Sequence, residues 1–121
     1  MPKILIIEDD DTVRDLVRLL LERMGHEAVV AANGREGLEK AGSASFDLVI
    51  TDLIMPEKEG IETIQELRKA QPGLKIIAMS GGGRVGAHDY LPLAKLLGAS
   101  FTLAKPFNRE ELTAAIKEVL G

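Results

Sequence analysis

Residues 4–10, Ile4-Leu5-Ile6-Ile7-Glu8-Asp9-Asp10, decide the fold. Four consecutive branched apolar side chains make a strand that neither face can offer to water, the pattern of a parallel sheet covered on both sides. The run stops abruptly in acids. From Asp11 the apolar residues recur at three- and four-residue steps, at Val13, Leu16, Val17, Leu20 and Met24. That period predicts a helix with these five on its buried stripe and Gly25 ending it in a C-cap position.

The alternation continues to the last residue. Residues 28–31 read as a second strand and 35–41 as a weaker helix containing Gly37. Residues 46–50 read as a third strand that ends in Thr51 and Asp52. After Met55-Pro56 comes a helix with Ile61, Ile64 and Leu67 on one side, closed by Pro72-Gly73. Residues 74–79 and 101–104 are the fourth and fifth strands, with a glycine-rich segment and a short helix over 90–97 between them. The last helix carries Leu112, Ala115, Ile116, Val119 and Leu120 on one stripe, and Asn108 with Glu111 three residues on resembles a capping box. Five strands alternating with five helices define an α/β fold, a doubly wound parallel sheet with helices on both faces.

Composition narrows the function. A chain of 121 residues, 45% hydrophobic and 28% charged, suffices for one globular domain and not for two. Residues 1–121 are therefore expected to form a single domain, with nothing after the fifth helix to serve as an output domain. The absence of cysteine excludes disulfide scaffolds, thiolate metal sites and cysteine nucleophiles. Two histidines, His26 and His88, are too few for a histidine-rich metal site, and both are expected to be solvated. A net charge of −4 and only four aromatics argue against a nucleic-acid partner. No apolar run is long enough to span a bilayer and the N-terminus has no signal-peptide pattern, so a cytoplasmic location and no membrane partner are expected.

In an open α/β sheet, ligands bind outside the carboxyl ends of the strands. Those ends carry Glu8, Asp9, Asp10 and Asp11 on the first strand, Asp52 on the third, Ser80 on the fourth and Lys105 on the fifth. Converging carboxylates repel unless something neutralises them. Magnesium suits this set, since it takes a few carboxylates, keeps waters and leaves room for a phosphoryl oxygen. Carboxylates, a hydroxyl and a lysine provide the positioning and charge neutralisation that phosphoryl transfer needs, with a carboxylate oxygen as nucleophile. Asp10 and Asp11 have a simpler role as helix-start residues.

Four pieces of sequence together resemble the receiver domain of two-component response regulators. They are Ile-Leu-Ile-Ile-Glu8-Asp9-Asp10, Asp52-Leu-Ile-Met-Pro56 with Gly60, Ser80-Gly81, and Lys105-Pro106-Phe107. The resemblance covers essentially the whole chain. It implies a flavodoxin-like (βα)5 fold with strand order 2-1-3-4-5, and Asp52 as the phosphoacceptor, fed by the phosphohistidine of a sensor histidine kinase or a histidine phosphotransfer protein. It implies Mg2+ as cofactor, with Asp9 and Asp52 as ligands, Glu8 acting through a water and the backbone carbonyl of Ile54 completing the protein donors. It also implies that Ser80 and Lys105 draw toward the phosphoryl group, that the peptide before Pro106 is cis, and that the surface of the fourth helix, fifth strand and fifth helix meets a downstream effector protein. Such a chain is a switch that catalyses only its own phosphorylation and dephosphorylation, not an enzyme acting on an external substrate.

Two features depart from the family's usual pattern. The switch position three residues before the lysine is Thr102, where Tyr or Phe is usual, and Phe101 should face the opposite way on a regular strand. The segment 80–98 is about three residues longer than in the simplest members and contains Gly81, Gly82, Gly83 and Gly86. We expect it to be mobile without phosphate and ordered with it. Two other readings compete. Asp9-Asp10-Asp11-Thr12-Val13 also fits the start of a haloacid-dehalogenase-type magnesium phosphatase. A degenerate receiver that binds partners without phosphate would be expected to lack the acceptor or the lysine, and both are present.

Overall fold

The computed structural model describes residues 2–52, 60–81, 98–105 and 107–120. β1 (Lys3–Ile7), β2 (Glu27–Ala31), β3 (Leu48–Asp52), β4 (Lys75–Gly81) and β5 (Phe101–Lys105) form one sheet in the order β2-β1-β3-β4-β5, every pair parallel. The expected strand order is thus present. α1 (Asp11–Arg23), α2 (Gly34–Ser43), α3 (Gly60–Ala70) and a C-terminal helix (Arg109–Leu120) lie between and after the strands. The helix expected over 90–97, His88, the glycine-rich loop over 82–86, Ile54 and the Lys105–Pro106 peptide all fall outside the described residues.

The two-residue period of the strands divides their side chains between two cores. Leu5, Ile7, Val49, Ile76 and Ala78 pack with Ala41 of α2 and with Ile64 and Leu67 of α3. Ile4, Ile6, Leu48, Ile50, Ile77 and Met79 pack with Val17 and Leu21 of α1 and with Leu112, Ala115, Ile116 and Val119 of the C-terminal helix. Because both faces are covered, Ile4 to Ile7 are all fully buried, which is why their sequence shows no alternation.

The caps fix where each helix begins and ends. The Asp10 carboxylate accepts the Thr12 and Val13 N–H groups at 2.9 and 3.1 Å, so Asp10 is the N-cap of α1 and Asp11 stands in its first turn. At the other end Gly25 has φ +89°. Its N–H donates to the Glu22 carbonyl and that of His26 to the Leu21 carbonyl, both at 3.0 Å, a Schellman closure that glycine adopts without strain. Asn108 and Glu111 make the reciprocal capping box, at 2.8 and 3.1 Å.

Several expectations need correction. Leu16 is not on the buried stripe of α1; it is 52% exposed, and the stripe instead turns on Val17 and Leu21, four residues apart. β3 starts at Leu48, two residues late, because pairing with β1 begins at Ile4–Leu48. Phe46 leads in, half-buried against the first core, and the Asp47 carboxylate accepts the Lys3 N–H at 2.7 Å. β4 runs on through Ser80 and Gly81 because these pair with Ala104 and Lys105 of β5. His26 is half-buried instead of solvated: the turn after Gly25 leaves its Nδ1 buried and without a hydrogen-bond partner.

Candidate functional site

Strand register brings the chemistry together. β1 pairs with β3 up to Ile7–Thr51, so the next residues, Glu8 and Asp52, leave the same end of the sheet side by side. β3 pairs with β4 at Asp52–Met79, and β4 with β5 at Gly81–Lys105. Carboxylate oxygens of Glu8, Asp9 and Asp52 all lie within 4.8 Å of one another. Glu8 is fully buried, Asp52 nearly so and Asp9 exposed, so the cluster opens to solvent on the Asp9 side.

Lys105 reaches into this cluster from the end of β5. Its Nζ stands 2.5 Å from Glu8 Oε1 and 3.5 Å from Asp52 Oδ1. The other Glu8 oxygen accepts the Asp10 N–H at 3.2 Å, and the Glu8 carbonyl accepts Arg14 Nη1 at 3.0 Å. Arg14 also pairs with Asp11. The start of α1 therefore holds Glu8 at both its side chain and its backbone. Thr51 donates its hydroxyl to the Asp52 carbonyl at 3.1 Å, so the last turn of backbone in β3 is also fixed.

Burial dominates the electrostatics. It pushes the Glu8 carboxyl from 4.5 up to about 7, with the Asp52 charge adding to the rise and the Lys105 hydrogen bond opposing it. Asp52 is likewise raised by burial, against the pull of the Lys105 charge and with the push of Asp9. For Lys105 burial acts to lower the pKa, but the hydrogen bond to Glu8 and the charges of Asp52 and Glu8 outweigh it and leave the pKa raised. The lysine stays charged, because two carboxylates face it. The acids are thus left short of positive charge. That deficit, together with all-oxygen donors from three side chains, is what a hard divalent cation relieves, and magnesium fits the set.

Of the residues singled out in the sequence, Glu8, Asp9, Asp52 and Lys105 are brought together. Ser80 is placed by its backbone in β4 opposite Ala104. Thr102 is half-buried in β5 opposite Ala78, whose side chain belongs to the first core, while Phe101 and Leu103 belong to the second. The expected opposition of Phe101 and Thr102 therefore holds. Ile54 lies outside the described residues. Two contacts were not legible in the sequence. Arg14 carries a faint signal in its spacing from Asp11, but the Glu8–Lys105 pair joins residues 97 apart.

The profile of the response regulator receiver domain matches residues 4–117, and the chain belongs to that family. Among curated relatives, it is 38% identical over 120 residues to the transcriptional regulatory protein CpxR homolog of Haemophilus influenzae, covering 99% of this chain and 51% of that one. The chain spans about half the length of the curated relatives it matches. A solved receiver domain protein from Clostridium thermocellum superposes with a TM-score of 0.90 at 34% identity, covering 99% of this chain and 94% of that one. The response regulator TrrA of Thermotoga maritima, solved in complex with Mg2+–BeF, superposes with a TM-score of 0.86 at 34% identity, covering 98% of each chain. The haloacid-dehalogenase reading is set aside, because the match to the receiver family runs through nearly the whole sequence. Among the described residues no helix is long and apolar enough to cross a membrane.

Proposed function

We propose that Asp52 is the phosphoacceptor of this receiver domain and that the chain works as a phosphorylation-dependent switch. The observation that carries the reading is the meeting of Asp52 with Glu8, Asp9 and Lys105 at one end of the sheet, three acids and one amine delivered by three separate strands. An Asp52 carboxylate oxygen attacks phosphorus, the phosphorus–nitrogen bond of a phosphohistidine breaks with its electron pair going to nitrogen, and the imidazole leaves neutral, keeping the proton already on its other ring nitrogen. The donor is a sensor histidine kinase or a histidine phosphotransfer protein. Asp9 and Asp52 would hold Mg2+, with the Ile54 carbonyl as a third donor and Glu8 acting through a water; the ion supplies neutralisation of the charge that builds on the phosphoryl oxygens.

The chain's own groups do the rest. Lys105 is a mobile point charge already within reach of the acceptor. Ser80 and Thr102 are the switch positions. Ser80 would turn its hydroxyl to the phosphoryl group, and Thr102 would transmit less than an aromatic ring could. Output runs through the surface of β5 and the C-terminal helix, together with the helix expected over 90–97, to a downstream effector protein. Residues 1–121 act as one receiver unit in the cytoplasm, and catalysis is confined to the unit's own phosphorylation and dephosphorylation.

Intact mass after incubation with Mg2+ and a small-molecule phosphodonor tests this. One added phosphoryl group is expected, dependent on Mg2+ and absent in Asp52→Asn. An adduct that survives Asp52→Asn, or none with either the donor or beryllofluoride, contradicts it.

A further inference from the structure

Glu8 does more in this geometry than stand near a metal. Its carboxylate is fully buried and both oxygens are engaged, one by Lys105 Nζ at 2.5 Å and one by the Asp10 N–H at 3.2 Å. Asp10 is in turn locked as the N-cap of α1, and Arg14 holds the Glu8 carbonyl. Glu8 is therefore a fixed post, and Lys105, on a flexible four-carbon stem, is the part that can move. The amine leans on that post: Asp52 Oδ1 is 1 Å farther from it, at 3.5 Å, beyond a good charged hydrogen bond but inside ion-pair range.

The asymmetry has a chemical use. A carboxylate oxygen capped by a short ammonium hydrogen bond has its lone pair tied up and is a poorer nucleophile. An amine held nearby but bonded elsewhere still offsets charge without blocking attack. Once the acceptor bears a phosphoryl group, its oxygens carry more negative charge than the Glu8 carboxylate and outbid it for the lysine.

We propose that Glu8 is a positioning residue that holds Lys105 off Asp52 in the resting protein and releases it when a phosphoryl group forms on Asp52. The release depends on the assignment of Asp52 as acceptor; the resting contact does not. Glu8 thereby sets the starting point of the lysine's movement as well as contributing charge to the acidic cluster.

The test follows the Lys105 amine itself, by Nζ–proton correlation spectra and hydrogen-bond scalar couplings to carboxylate carbons in the isotopically labelled full chain. In metal-free wild type on the alkaline side, where Glu8 is ionised, Lys105 Nζ should couple to the Glu8 carboxylate carbon. The Lys105 signal should persist in Asp52→Asn and be displaced in Glu8→Gln. Glu8→Asp, which keeps the charge and shortens the arm, should move the signal in the same direction as Glu8→Gln and guards against a variant that fails to fold. Adding Mg2+ and beryllofluoride to wild type should abolish the Glu8 coupling. A wild-type coupling to Asp52, or a signal lost in Asp52→Asn and kept in Glu8→Gln, overturns the proposal. Failure of beryllofluoride to bind while the Glu8 coupling is intact instead overturns the acceptor assignment, and the release with it.

Discussion

Two cations stand at opposite ends of the sheet, and they are held in opposite ways. Arg68, near the end of α3, donates Nη1 to the Pro72 carbonyl at 2.7 Å and to that of Leu74, and Nη2 to the Gly98 carbonyl. Its partners are neutral, and a planar guanidinium spreads its bonds over all three. Lys105, at the carboxyl end, faces two carboxylates at unequal distances with one point charge. The arginine joins α3, the entry to β4 and the approach to β5 into one piece. The lysine sits among partners that compete for it. One end of the sheet is tied by a guanidinium spread over neutral carbonyls, and the other by a single charge between two rival carboxylates.

The pH dependence of stability separates the two ends most strongly. Folded Glu8 keeps its proton up to about pH 7, whereas the unfolded chain releases it near 4.5. The stability due to the neutral carboxyl is therefore present below about pH 4.5 and lost as pH rises through about 7. Metal-free wild type should lose about 3 kcal/mol relative to Glu8→Gln across that interval, and Mg2+ should restore most of it at the alkaline end. Denaturant titrations at a series of pH values measure this, and parallel curves for the two proteins would show that the carboxyl end is no more strained than the other.

Arg68→Ala should cost about 2 to 3 kcal/mol, because it strips charged donors from carbonyls at the static end. Arg68→Lys should recover only part, and the phosphoryl adduct at the far end should form as in wild type. A loss of phosphorylation with the fold intact would break the division between the ends. Gly37→Ala probes the seam between α2 and β1, where a Cβ would come within 2.3 Å of Ile7 Cδ1. About 2 kcal/mol should be lost, and Ile7→Val in the same chain should return some of it. The smallest effect, about 1 kcal/mol, is expected for Asn108→Ala, which removes one half of the capping box that starts the C-terminal helix three residues beyond Lys105.

How much was legible in the sequence follows the same line. The sheet and its two cores could be read because the runs at Ile4 to Ile7 and at the other strands are buried on both faces, and period alone reports that. Caps such as Asp10, Asn33 and Asn108 were signalled by local residue pairs, although Asn33, whose side chain accepts the Glu36 N–H at 2.8 Å, was passed over. Strand ends were misjudged by one or two residues at Phe46 and Gly81 because pairing with a neighbouring strand, not composition, sets them. Leu16 failed for a related reason: a leucine at the rim of a helical stripe is apolar whether or not anything covers it. In the site, residue types and their places at strand ends were enough to gather the acids and the lysine. The preference of Lys105 for Glu8 over Asp52 was beyond reach, because it depends on a distance of about an ångström between side chains from different strands.

The most direct test of the account is an amide proton–nitrogen map of the full chain before and after adding Mg2+ and beryllofluoride. Large shifts are expected at Glu8, Asp9, Asp52 and Lys105 and along β5, with the amides around Arg68, Leu74 and Gly98 scarcely moved. Shifts centred on the Arg68 end, or a map unchanged at Asp52 and Lys105, would contradict it.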